Sequence, residues 1–297
     1  MIHVLDTGFQ GHPGVIAVFA VPHDAGVALI ESGPESTFDA VAEGLKKLGF
    51  GPEDVTDVLL THIHLDHAGA AWRFAEAGAR VHVHPRGYQH LADPSRLMES
   101  ARQIYKDQME ALWGRMEPIP EDRLFAVQDG ERVNVGGRTF VAHETLGHAK
   151  HHHAWQLGEA LFTGDVAGVR LFGGPALPPC PPPDIQVEDW AASIEKIQEI
   201  GPQTLYLTHY GAYADVEEHL ADLKARLFDW AGWVKARLKE GQTPEAMVPA
   251  FEAKVQAELL GAGRSPEEVA AYEAANPSAY SVYGLVRYWQ KHHPEAL

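Results

Sequence analysis

Apolar and polar positions follow two different periods along this chain, and the change between them divides it. Residues 2–5, 15–21 and 27–31 are short β-branched or apolar runs bounded by Gly, Pro and Asp, which predicts strands joined by turns. Phe38, Val41, Leu45 and Leu48 then recur at intervals of three and four, a helical face over 36–48 that Gly49 and Gly51 end. A buried-strand pattern over 55–61 runs straight into a histidine cluster, and a short helix over 70–77 and a strand over 81–84 follow. Strands alternating with helices predict an α/β (α+β) chain with helices on the sheet faces.

From 85 to 116 the pattern turns helical and irregular, with Leu97, Ile104, Met109, Leu112 and Trp113 as its apolar positions, and reads as an insertion at about 86–117. Over 127–141 the turn pairs Asp129-Gly130 and Gly136-Gly137 between apolar runs signal a hairpin, and 154–163 reads as a strand pair around Gly158. Residues 177–184 hold five prolines in eight positions and must form a loop. A helix near 190–200 leads to a strand over 204–207, and His209 follows it. Beyond that, Val216, Leu220, Leu223, Leu227, Trp230, Val234 and Leu238 define one long amphipathic face. A further helix over 244–260 and an aromatic tail with Tyr272, Tyr280, Tyr283, Tyr288 and Trp289 close the chain. The 297 residues thus suggest one large domain over 1–225 and a helical C-terminal extension over 226–297.

Charge narrows the partners. The 24 basic against 41 acidic side chains give a net −17, and the basic ones are scattered. Such a surface repels phosphate backbones and anionic lipid, so neither nucleic acid nor a membrane is expected as partner. No uncharged run approaches a spanning helix, and the N-terminus has neither a basic start nor a long apolar segment, which points to a cytoplasmic protein. A single cysteine, Cys180, excludes an internal disulfide and a thiolate-rich metal site. Set beside it, 18 histidines are an excess that asks for chemistry.

The histidines cluster. Thr61-His62-Ile63-His64-Leu65-Asp66-His67-Ala68-Gly69 contains H-x-H-x-D-H, four ligand-type side chains within six residues. A strand running into a loop can aim His62 and His64 at one ion while the loop turns Asp66 and His67 toward a neighbouring one. Imidazole and carboxylate at about 2.0–2.2 Å suit zinc and similar divalent ions. A second ion needs ligands from elsewhere, and three candidates each follow an apolar run: His148 after Gly147, Asp165 in Phe162-Thr163-Gly164-Asp165, and His209 in Leu207-Thr208-His209-Tyr210.

Taken in that order and spacing, H-x-H-x-D-H at 62–67, Thr145-Leu146-Gly147-His148, Phe162-Thr163-Gly164-Asp165 and His209 resemble the metallo-β-lactamase superfamily, over residues 1 to about 225. The resemblance implies the four-layer αββα sandwich with its site at one edge of the two sheets. Carried over, His62, His64 and His148 would hold a first metal, Asp66, His67 and His209 a second, and Asp165 would bridge both. Asp66 and Asp165 are thereby the carboxylates given a catalytic part. The cofactor implied is two divalent ions, zinc first, with manganese or iron acceptable. Two such ions about 3.5–4 Å apart share a water and lower its pKa toward neutrality, so that a bridging hydroxide attacks an ester, thioester, lactone or phosphodiester bond. The superfamily often has Asp where this chain has Glu31, and Pro where it has Leu146. The His/Asp ligand set and the absence of a motif cysteine resemble glyoxalase II-like and lactonase-like branches rather than the β-lactamases proper.

Other residues carry weaker signals. His151, His152 and His153 enter a predicted strand, where alternate residues face opposite ways, so His152, or His151 and His153, would face the metals as hydrogen-bond donors or substrate contacts. Tyr210, beside His209, is expected either to donate to a developing oxyanion or to serve as a packing residue. The insertion and the loop after Val166, with Leu171 and Phe172, offer an apolar cover, which favours a small-molecule substrate with an acyl or aromatic portion. His82 and His84 are expected to be hydrogen-bonded structural residues and Asp6 a turn residue. Two other classes compete: a mononuclear iron enzyme resembling the persulfide dioxygenases, and a non-catalytic metal-binding protein. In either case the C-terminal helices offer a surface for homo-oligomerisation.

Overall fold

Most apolar runs of the first third become strands within two residues of their expected ends. In the computed structural model, which describes residues 1–297, these are β1 (His3–Asp6), β2 (Ala17–His23), β3 (Gly26–Ile30), β4 (Val55–Leu59) and β5 (Arg80–Val83), with β6 (Leu124–Ala126) at the far edge. They form one six-stranded sheet in sequence order. The first three strands pair antiparallel, β1 with β2 and β2 with β3, and β3 to β6 are parallel neighbours. Parallel pairing needs helical crossovers, and α1 (Phe38–Lys47), α2 (Leu65–Ala68), α3 (Ala71–Glu76) and α4 (Pro85–Ala92) supply them. As its spacing predicts, α1 buries Phe38, Val41 and Leu45. Backbone contacts divide the chain into two compact units, and this sheet belongs to the first, residues 1–144 with 151–164.

The irregular helical stretch resolves into α4, α5 (Ser95–Tyr105) and α6 (Met109–Trp113), and Met98, Ala101 and Met109 of the last two join the core of the first sheet. Four antiparallel strands complete the unit: β7 (Arg132–Val135), β8 (Arg138–Glu144), β9 (His153–Leu157) and β10 (Ala160–Gly164). The β7–β8 hairpin turns at Gly136-Gly137, both left-handed, as a two-residue loop matched to strand twist requires. The Asp129-Gly130 pair lies before β7 and is not that turn.

The second unit comprises residues 145–150 and 165–297. It holds α7 (Val187–Ile200), the hairpin of β11 (Thr204–Leu207) and β12 (Gly211–Tyr213), and four helices: α8 (Val216–Lys239), α9 (Pro244–Gly261), α10 (Pro266–Ala275) and α11 (Ser278–His292). The amphipathic face of α8 is buried through Leu220, Leu223, Leu227, Trp230 and Val234, and α8 packs on α7 and α11. The aromatic tail is therefore two helices, with Tyr272 and Tyr288 fully buried. No helix is long and apolar enough to cross a membrane.

Candidate metal centre

The first unit presents the H-x-H-x-D-H residues just past β4. His62 lies in the short loop after the strand, His64 is the N-cap of α2, and Asp66 and His67 sit in that helix's single turn. A one-turn helix accounts for the spacing, because it swings positions 66 and 67 away from 62 and 64 within a few residues. His62 and His67 are fully buried. The pairs approach closely: His62 Nε2 is 2.9 Å from His64 Nδ1, and His67 Nε2 is 3.5 Å from Asp66 Oδ2.

Glu31, at the end of β3, organises these rings. Its side chain is fully buried, and its backbone has φ 66, a left-handed conformation uncommon for a residue with a Cβ. The carboxylate accepts from the Thr61 amide (3.1 Å), the Thr61 hydroxyl and His67 Nδ1–H (2.9 Å). A hydroxyl has one proton, and Thr61 gives it to a carboxylate that only accepts. Its 3.0 Å contact with His62 Nδ1 must then be a bond donated by the imidazole. Both His62 and His67 are thus held as the tautomer with its lone pair on Nε2, the form that binds a metal. Sequence reasoning noted Glu31 only as a departure from the usual Asp; the strand-end Glu-Ser-Gly was the signal.

His151, His152 and His153 are buried within the same unit. The His62 ring is 6.2 Å from that of His151 and 4.9 Å from that of His152, while His153 lies 4.7 Å from His84. The expected alternation does not hold, because β9 begins only at His153, leaving 151 and 152 ahead of the strand with both rings near His62. As expected, His82 is bonded to buried Asp57 (2.7 Å), His84 to Glu144 (2.8 Å), and Asp6 accepts two turn amides. Burial also lowers the His84 pKa despite Glu144.

Within the second unit, His148, Asp165 and His209 lie together. Asp165 Oδ2 lies 3.3 Å from His148 Nε2, and Oδ1 lies 3.5 Å from His209 Nε2. Each oxygen of one buried carboxylate therefore faces a different imidazole. Separations of this size are what two ligands about 2.0–2.2 Å from one tetrahedral ion show. His148 Nδ1–H donates to the Pro179 carbonyl at 2.9 Å, which again puts the lone pair on Nε2. Gly147 allows this approach: it has φ 120, and a Cβ there would collide with the Trp190 backbone. His209 follows β11, and the Arg170 and Tyr210 amides tie its backbone to the loop after Val166.

Other expected contacts sort differently. Leu171 is fully buried, its backbone bonded to the Tyr272 hydroxyl, and so is no substrate cover; Phe172 is 42% exposed. Tyr210 is half-buried. Cys180 is buried in the second unit, where its Sγ–H donates to the Pro178 carbonyl at 3.5 Å and burial pushes its thiol pKa up.

The donor set fits divalent metal: imidazole nitrogens, with Nε2 of His62 facing Nδ1 of His64 and Nε2 turned to a carboxylate in His67, His148 and His209, so that each unit holds both ligand types. A further group, Glu31, His62 and His67, also brings three ligand atoms within 4.8 Å, but Glu31 is occupied in orienting the other two.

Comparison with known proteins agrees with this chemistry. The sequence profile described as the metallo-beta-lactamase superfamily matches residues 7–209. A metallo-beta-lactamase fold-containing protein of Sulfurisphaera tokodaii is 26% identical over 231 residues, 76% of this chain and 85% of its own. An atrochrysone carboxyl ACP thioesterase of Aspergillus fumigatus is 30% identical over 222 residues, 73% of this chain and 58% of its own. Among solved structures, a metallo-beta-lactamase family protein of Thermus thermophilus aligns over 98% of this chain and 93% of its own, with TM-score 0.69 at 21% identity, a likeness of fold that includes the C-terminal helices. The chain belongs to the metallo-beta-lactamase superfamily and has its αββα fold with a helical C-terminal extension.

Proposed function

We propose that this chain is a hydrolase whose site takes two divalent ions, zinc foremost, with His62, His64 and His148 on one, Asp66, His67 and His209 on the other, and Asp165 shared. The observation that carries this reading is the carboxylate of Asp165, whose two oxygens face His148 and His209 separately. One oxygen toward each imidazole is the arrangement that a carboxylate shared between two ions would need. When bound, such a pair of ions supplies a nucleophilic hydroxide at neutral pH and polarises a scissile carbonyl or phosphoryl oxygen.

The chain's own residues do the positioning. Glu31 and Thr61 fix the tautomers of neutral His67 and His62, and the Pro179 carbonyl fixes that of neutral His148, so that each of these rings turns its Nε2 lone pair toward the metal. Asp66 and Asp165 bring negative charge to the centre and anchor the nucleophile's place. The likeness to a thioesterase favours an acyl ester, thioester or lactone over a phosphodiester, and exposed Phe172 is an apolar contact for the acyl portion. His151 and His152 beside His62 are polar contacts to substrate or hydroxide, and Tyr210 donates to the oxyanion. The same reading places the protein in the cytoplasm, acting on a small molecule.

Elemental analysis of purified protein, joined to a panel of esters, thioesters, lactones and phosphodiesters, tests this. Two zinc equivalents and turnover of at least one class are expected, and His62→Ala and Asp165→Ala should each lose metal and abolish turnover. Full activity in metal-stripped Asp165→Ala protein would sink the reading. A single iron with thiol-dependent oxygen uptake would replace it with a dioxygenase.

A further inference from the structure

The loop that holds His148 is itself held from more than ninety residues away. The Pro179 carbonyl that accepts from His148 Nδ1–H sits in Pro178-Pro179-Cys180-Pro181-Pro182-Pro183, where only Cys180 has a backbone N–H. That one amide donates to Ser281 Oγ in α11 at 3.4 Å. On the other side of Pro179, Asn276 Nδ2 donates to the Pro178 carbonyl at 3.4 Å. Ser281 Oγ–H in turn donates to Asn276 Oδ1 at 3.2 Å, which closes a small buried network on both flanks of Pro179. Gly284, one turn further along α11, leaves no room for a Cβ, which would collide with the Cys180 carbonyl. A proline-rich segment with one donor cannot anchor itself through secondary structure, so its place is dictated by these side chains.

We propose that Asn276 and Ser281 are positioning residues for the metal ligand His148. They fix the backbone of residues 178–180 so that the Pro179 carbonyl holds the imidazole in one tautomer and aims Nε2 toward Asp165. The C-terminal extension is on this view a working part of the metal centre, coupled to it through one carbonyl. This inference rests on the two-ion reading above. Loss of an outer hydrogen-bond partner of a ligand histidine weakens metal binding about 10–100-fold. A purely structural role would lower thermal stability and leave the affinity of the folded protein unchanged.

The experiment compares wild type, Ser281→Ala, Asn276→Ala/Ser281→Ala and Phe251→Leu, the last a core change between α8 and α9 that touches none of this loop's bonds. Zinc affinity is read by competition with a chromophoric chelator, and ligand geometry by the visible spectrum of the cobalt-substituted protein. The double variant should bind one of its two zinc ions at least about tenfold more weakly, with an altered cobalt spectrum, and Ser281→Ala should shift in the same direction if the double variant does not fold. Phe251→Leu should melt lower with affinity and spectrum unchanged. Wild-type affinity and spectrum in both folded hydrogen-bond variants would overturn the proposal. His148→Ala, measured alongside, separates the two readings: if it also keeps both ions the metal site itself is wrong, and if it loses one while the others do not, only the role of Asn276 and Ser281 fails.

Discussion

Single side chains in this protein are specified by proton bookkeeping more than by packing. Glu31 accepts from Thr61 and His67, and Thr61 accepts from His62, so one carboxylate sets two tautomers. Glu31→Gln keeps the volume but offers an NH₂ where an acceptor is required, and zinc affinity should fall about 10–100-fold, measurable by chelator competition. An unchanged affinity would show that the tautomers are set elsewhere. His219 is a different case, away from the ligands. It is buried, its Nε2–H donates to the Ala167 carbonyl at 2.7 Å and Arg170 donates to its Nδ1 at 3.1 Å, with Asp215 and Asp222 nearby. Burial is the main cause that pushes its pKa below the usual imidazole value, and Arg170 adds to it. The unfolded chain therefore binds the proton more readily, so this contribution to stability is present above about pH 6.5 and is lost as pH falls below it. In metal-free protein, His219→Gln should lose less stability than wild type between about pH 7.5 and 5.5 in urea unfolding. Equal losses would exclude His219 as a source of acid sensitivity.

Elements were legible where one force shaped them. The α8 face and the α1 face follow from apolar spacing alone, and β11 begins and ends where the sequence places it. The aromatic tail was legible as part of a helical extension but not as two separate helices, and packing on α8 and α9 places α10 and α11. Local signals do mark the start of α10: Ser265 accepts from the Glu268 amide, Glu268 accepts from the Ser265 amide, and Pro266 occupies the first turn. Ser265→Ala should lower stability by about 1 kcal/mol in urea denaturation. Because α10 carries Tyr272, whose hydroxyl holds the Leu171 and Pro175 backbone, a larger loss would mean that the cap supports the loop as well as the helix.

Across the molecule, metal and folding are one equilibrium if the proposed ligands hold ions, since an ion that binds only the folded state stabilises it. Chelator treatment should lower the melting temperature by several degrees, at roughly 2–4 °C per kcal/mol, and added zinc should restore it; no shift in either direction would count against bound ions. The order of motifs from His62 to His209 was enough to reach the superfamily and to name the ligand set proposed above, because metal ligands must be particular residue types and their spacing survives in the chain. The same was not true of the residues that orient those ligands. Glu31, Thr61, the Pro179 carbonyl, Asn276 and Ser281 are ordinary residues in sequence, and they gain a part only when folding brings a strand end beside His62 and His67, a proline loop beside His148, and α11 against that loop. Residue chemistry and periodicity are properties of the chain and can be read along it, whereas which nitrogen of a histidine carries the proton depends on a partner that only folding supplies.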